Sequence, residues 1–344
     1  MVYLFVIPLC FLIIPPFSAS QRKSMLEKFG YAMTAVAVFY LAKATVRFLL
    51  GADSKVFFYH ELVTQETNAI YVSVFFVVGF FALLSKQRHL VIDKVCCVIL
   101  ALLVVLLSSK NIIVVFALLC VVYFLRYANI GKRKLGIACA VFLATIIVSG
   151  IAFPQITQRF RLEFDAAQRN TNRVAIDGGM VNNVSIYQAW NQDKFTPNDF
   201  FGGMAFRVYQ FRIFTEMLAE DPILFTGYGL NASFNKVGEK ADEHALFKGN
   251  ATIKGYQGKN FHNQYVQNFA EMGVFAFLLL LIMVFASLKN AVSAKDFTLI
   301  SFSVLMISLF LTESFLWRQR GVTFFTVLYC LTNSGMAMIS AKKR

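Results

Sequence analysis

Charge is scarce in this sequence. Asp, Glu, Lys and Arg together make up 15% of its 344 residues, where a soluble domain carries about a quarter. Cysteine is absent from every hydrophilic segment. Cys10, Cys96, Cys97, Cys120, Cys139 and Cys330 all lie in apolar blocks, which argues against a disulfide framework or a thiolate metal site. Also missing are an Asp-X-Asp motif, a His/Asp cluster at metal-ligand spacing, a sequence repeat and a low-complexity tract. No metal or cofactor is expected.

What fills the chain is apolar. Hydrophobic residues make up 58%, with 38 Phe, and they gather in blocks near the ~20-residue length that spans a bilayer. These blocks predict nine helices near 1–19, 31–50, 68–85, 91–108, 111–128, 135–153, 264–288, 297–316 and 321–340. The expected fold is an all-α polytopic transmembrane bundle with one large external loop of short helices. Its parts are N-terminal spans over 1–153, the loop over 154–263 and C-terminal spans over 264–344.

The net charge of +14 could suggest a nucleic-acid partner, but its location argues against one. Segment 154–261 holds 12 Lys and Arg against 11 Asp and Glu, so the excess lies in the helices and short loops. One side of the predicted bundle collects fifteen basic residues, from Arg22 to Arg344, and the other collects only Lys55, Lys110, Arg318 and Arg320. By the positive-inside rule the C-terminus is cytoplasmic and the long loop is outside.

The ionisable groups near the membrane gather at the outer end: Arg47, Glu271, Glu313, Arg318 and Arg320, with Arg207, Arg212 and His262 in the loop. Guanidinium pairs bidentately with phosphate, so such a cluster suits an anionic lipid headgroup. The plain alternative is that the interfacial arginines merely reach for lipid phosphates. In the loop, Phe206 to Glu220 predicts a helix stopped by Asp221-Pro222, with Arg207, Phe211, Phe214 and Leu218 on one face. Gly227-Tyr228-Gly229 predicts a tight turn where backbone can approach a ligand. His262 opens His262-Asn263-Gln264-Tyr265 and is the side chain best suited to take a proton from a hydroxyl near neutral pH.

The order of these pieces resembles the O-antigen ligase and polymerase superfamily of bacterial polytopic glycosyltransferases. The resemblance rests on Ser109-Lys110, Arg207 with Phe211, Pro222, Gly227-Tyr228-Gly229, His262-Asn263-Gln264-Tyr265 and Glu271-Met272-Gly273. Its strong part covers about 207–273, with Lys110 where arginine is usual and Phe211 where tryptophan is common.

The resemblance implies metal-independent transfer of a glycan from a polyprenyl diphosphate carrier to an acceptor hydroxyl at the periplasmic face of the inner membrane. The acceptor would be lipid A core for a ligase, or a growing chain for a repeat-unit polymerase. It implies diphosphate or substrate contacts from Arg207 and Arg212, with Arg47 or Arg318, and from Gly227, Gly229, Asn263 and Tyr265. His262 would act on the hydroxyl, with Glu271 holding it or closing the pocket. The competitor from another class, a lipid-linked sugar flippase, calls for midplane polar sites and repeated halves. Only Lys43 sits deep enough to suggest the former. A non-catalytic scaffold would leave the order of His262 and Arg207 without a reason.

Overall fold

The computed structural model describes residues 2–64, 67–107, 109–128, 161–167, 172–176, 179–250 and 255–333. Helices dominate it. They are α1 (Val2–Ile13), α2 (Ala19–Leu49), α3 (Tyr59–Leu62), α4 (Ala69–Leu84), α5 (Val91–Leu106), α6 (Lys110–Arg126), α7 (Ile186–Asn191), α8 (Gly203–Glu220), α9 (Ser233–Glu243), α10 (Gln264–Ser293), α11 (Phe297–Leu309) and α12 (Gln319–Asn333). A 3-10 turn spans Ser54–Phe57 and another Phe315–Trp317.

Eight of the nine expected apolar blocks fall on these helices, and the sixth, 135–153, lies outside the described residues. By length and composition α2 and α10 can each cross a bilayer, while α1, α4 and α11 are apolar but shorter. Several boundaries differ from expectation by five residues or more, and two of them have a plain cause. Helix α2 starts at Ala19 because Ser18 and Gln21 form a reciprocal capping box, which satisfies the first orphan N–H groups twelve residues before the apolar run. Helix α11 ends at Leu309, so Phe310 to Glu313 are not helical.

The chain packs as two compact units. One comprises Met1–Ala152, Val284–Leu309 and Phe315–Arg344; the other comprises Phe153–Met283 and Phe310–Ser314. In the first, α2 packs along α4, α4 along α5, and α11 against α4 and α6. Asp93, fully buried, accepts from Lys86 Nζ at 2.9 Å and from the Tyr31 hydroxyl, so its charge is compensated inside the bundle.

The predominance of helix is as expected, and the second unit adds a few short strands to it. It contains a small sheet of β1 (Asn172–Ile176), β2 (Gly179–Val184) and β3 (Asp199–Phe201), ordered β1-β2-β3. Strands β1 and β2 are antiparallel with Ile176 opposite Gly179, and β2 and β3 are parallel with Val184 opposite Phe201. The two residues separating β1 from β2 are Asp177-Gly178, a sequence signal for a tight hairpin. Against the sheet lies an apolar core that includes Phe201, Phe206, Tyr209, Ile213, Met217, Val237 and Phe261.

Candidate active site

Helix α8 carries the first candidate. Its N-terminus has no side-chain cap of its own, and Glu163 supplies one from a distance. The two carboxylate oxygens accept from Gly203 N and Met204 N, each at 2.9 Å, where the helix dipole favours an anion. The buried stripe runs through Ala205, Phe206, Tyr209, Ile213 and Met217, rotated from the expected one. Of the four residues expected on the apolar face only Phe214 is buried; Arg207 stands at its edge and Phe211 is exposed. Arg207 Nε donates to Thr312 O and its Nη1 donates to Gly203 O, both at 2.8 Å. No carboxylate among the described residues pairs with it. Two of its five N–H donors are used on neutral carbonyls, so the fork is anchored without a direct ion pair, with the Glu163 carboxylate nearby across Gly203.

His262 is held just as tightly. Gln210 Nε2 donates to Asn260 O, Phe261 N donates to Gln267 Oε1 at 3.4 Å, and His262 N donates to Asn260 Oδ1 at 3.1 Å. His262 takes a left-handed backbone conformation with φ 45°. Its ring meets the Phe206 ring edge to face at 6.0 Å. Nδ1 is buried and lies 3.4 Å from Glu313 Oε1, while the side chain as a whole is 28% exposed.

The non-helical segment after α11 ties these pieces together, residue by residue. Phe310 O accepts from Gln264 N at 2.7 Å, and Leu311 O from Asn263 Nδ2 at 3.3 Å. Thr312 O takes Arg207 Nε, and Glu313 faces His262. Asn263 Oδ1 accepts from Val266 N at 3.0 Å, capping α10. Tyr265 is buried between the rings of Phe277 and Phe310.

The glycines and Glu271 meet elsewhere in the same unit. Helix α10 breaks at Gly273, which has φ 74° and ψ −173°, a conformation open only to glycine. The segment before α9 fills the break. Tyr228 N donates to Ala270 O at 2.8 Å, Gly229 N to Glu271 O at 2.9 Å, and Val274 N to Leu224 O at 2.8 Å. The Tyr228 hydroxyl donates to Asp221 Oδ2 at 2.5 Å, closing the turn and holding the Asp221 carboxyl below its usual range. The close backbone approach expected of Gly227 is made by the helix itself: a Cβ there would lie 2.3 Å from the Glu271 carbonyl carbon. Glu271 Oε1 accepts from Gln267 Nε2 at 2.8 Å and Ser233 Oγ at 3.3 Å. The carboxylate beside the imidazole is Glu313.

A Gly273→Ala protein should therefore be destabilised by about 2–3 kcal/mol or more, since its backbone energy and a 2.2 Å clash with Phe225 O both oppose it. Thermal unfolding of the detergent-solubilised full chain would check this, and an unchanged melting temperature would refute it.

A model of the O-antigen ligase family matches residues 95–281, more than half of the chain. The chain belongs to the O-antigen ligase family. No curated protein matches it. The family is membrane-integral, and its members are glycosyltransferase-type enzymes acting on lipid-linked glycan donors and acceptors. The region matched to the O-antigen ligase model holds Arg207, Arg212, Gly227, Gly229, His262, Asn263, Tyr265 and Glu271, and leaves out Arg47, Glu313 and Arg318.

For an O-antigen ligase family member the remaining candidates divide by partner. Arg212 is committed within its own unit: Nε to Glu216 Oε1 at 2.8 Å, Nη1 to Gln192 O at 2.7 Å, and Nη2 to Asp193 Oδ1 at 3.7 Å. It shares Glu216 with His244, which is buried beside the Tyr209 hydroxyl and whose pKa burial pushes down. The structure thus separates Arg212 from the partners of Arg207. Arg47, in the other unit, is paired with Glu61 at 2.8 Å. Arg318 in that unit is exposed. Ser109 precedes the first residue of α6, Lys110, as the motif order expects. Among the described residues no group of three or more His, Cys, Asp or Glu could hold a metal ion.

Proposed function

We propose that the protein is an O-antigen ligase, moving a completed glycan from polyprenyl diphosphate to a hydroxyl of lipid A core. The observation that carries this reading is that Arg207, which makes no direct ion pair among the described residues, is bonded to Thr312 O while the His262 ring lies against the next residue, Glu313. A cation for a diphosphate and a base for a hydroxyl are thus held by one short segment. In the reaction the acceptor oxygen attacks the anomeric carbon while the bond from that carbon to the diphosphate oxygen breaks. The electron pair leaves on the diphosphate, whose charge Arg207 stabilises, and the hydroxyl proton passes to His262. Attack opposite the leaving group inverts the anomeric centre. No nucleotide sugar or metal is assigned a part.

The charge asymmetry supports a multi-pass arrangement in the bacterial inner membrane, with the long loop periplasmic and the C-terminus cytoplasmic. Surface glycolipids from native and deletion strains, resolved by gel and mass spectrometry, test the acceptor. The deletion strain should accumulate full-length chains on the carrier and leave bare core. Core capped by a single repeat unit would make the protein a polymerase of the same family. An unchanged glycan profile would refute both.

A further inference from the structure

We propose that Glu313 is the positioning residue that holds His262 in its basic tautomer; this rests on the reading of His262 as the base. A buried, unpartnered ring nitrogen faces a nearly buried carboxylate here. His262 Nδ1 is buried with no hydrogen-bond partner, and the Glu313 side chain is 8% exposed, its Oε1 3.4 Å from that nitrogen. An ionised carboxylate only accepts, so a proton on Nδ1 satisfies both groups and leaves the Nε2 lone pair for the acceptor hydroxyl. When Nε2 takes the hydroxyl proton, Nδ1 keeps its own, and the carboxylate stabilises the imidazolium that results. The distance is longer than the ~2.7–2.9 Å of a charge-assisted bond. Catalytic hydrogen bonds are often long without substrate and tighten when it binds.

The pair is built rather than incidental. The three residues before Glu313 accept from Gln264, Asn263 and Arg207, so the main chain carrying the carboxylate is fixed by the residues around the imidazole. On the other side of the ring, Phe206 presents no titratable group, and Arg207 is bonded to main-chain carbonyls. Glu271, fastened to Gln267 and Ser233, is occupied elsewhere.

The test uses the full chain in lipid nanodiscs with a polyprenyl diphosphate-linked glycan and a core acceptor. Glu313→Gln is nearly isosteric, and its amide can donate to Nδ1, favouring the wrong tautomer. It should lower kcat by about 10²–10⁴-fold, with KM changed by less than about threefold, as expected for an effect confined to the transition state. Nitrogen-15 NMR of histidine-labelled wild type, with the His262 signal assigned by difference from His262→Asn, should find the proton on Nδ1. That measurement does not depend on the variant's folding. Wild-type kcat in Glu313→Gln, or a proton on Nε2 in the wild type, would overturn the proposal. If Glu313→Gln is fully active while His262→Asn is dead, Glu313 loses its role and His262 keeps its own. If both are active, the general-base reading falls with it.

Discussion

A His262→Asn protein is expected to accumulate like wild type and to transfer glycan at least ~10²–10⁴-fold more slowly, the range that general-base catalysis contributes. Asparagine is the substitution of choice because position 262 has φ 45°, where alanine adds strain and asparagine is tolerated. Loss of activity can then be assigned to the missing imidazole and not to a displaced loop. The measurement is transfer in vitro from a polyprenyl diphosphate-linked oligosaccharide, with membrane abundance as the control. Near-normal transfer would remove the histidine from the mechanism.

The second large effect is expected at Arg207. Lysine keeps the charge but presents a point donor, which cannot hold Gly203 O and Thr312 O while also meeting a phosphate. Arg207→Lys should reduce kcat/KM by about 10²–10³-fold, as for loss of one preorganised donor to a developing charge. Arg212→Lys provides the contrast. Its partners are Glu216, Asp193 and Gln192, so its cost should appear in the melting temperature. Wild-type turnover in Arg207→Lys would sink the phosphate role.

Much of the helical framework could be read from hydropathy, because a helix in contact with lipid must be apolar over a bilayer's width. Where polar residues continue a helix, hydropathy misses its end: Arg22, Lys23 and Lys28 hid the first turns of α2, which only the Ser18–Gln21 capping box marks. The opposite error occurred at 310–313. Phe310-Leu311 prolong the apolar run, yet the helix stops because Gln264, Asn263 and Arg207 take those carbonyls as acceptors. Competition of that kind is tertiary and leaves no local pattern. The polar run Thr312-Glu313-Ser314 was the available hint.

The candidate site was legible in its order but not in its pairings. Arg207 and His262 stand out by chemistry and spacing, yet their connection runs through residues about fifty and a hundred positions away. The glycines raised a different problem. Their small size signalled a close approach, and sequence cannot say whether the visitor is a ligand or the protein's own backbone. Here it is backbone, 44 residues further on for Gly227 and Glu271. The sheet escaped because its strands are short, although Asp177-Gly178 was a usable signal.

The break at Gly273 also fixes a length. Unbroken, the 30 residues of α10 would form a rod of about 45 Å, well beyond a hydrocarbon core of about 30 Å. The part after the break, 274–293, is about 30 Å long and almost wholly apolar. The part before it carries Gln264, Gln267, Asn268 and Glu271. A straight helix of this composition would have to tilt or thicken the bilayer around it. The kink removes that mismatch and lets polar and apolar halves take different directions. On the proposed function, bilayers of different acyl length are expected to alter the rate of transfer, because the apolar half would set the depth of the polar half.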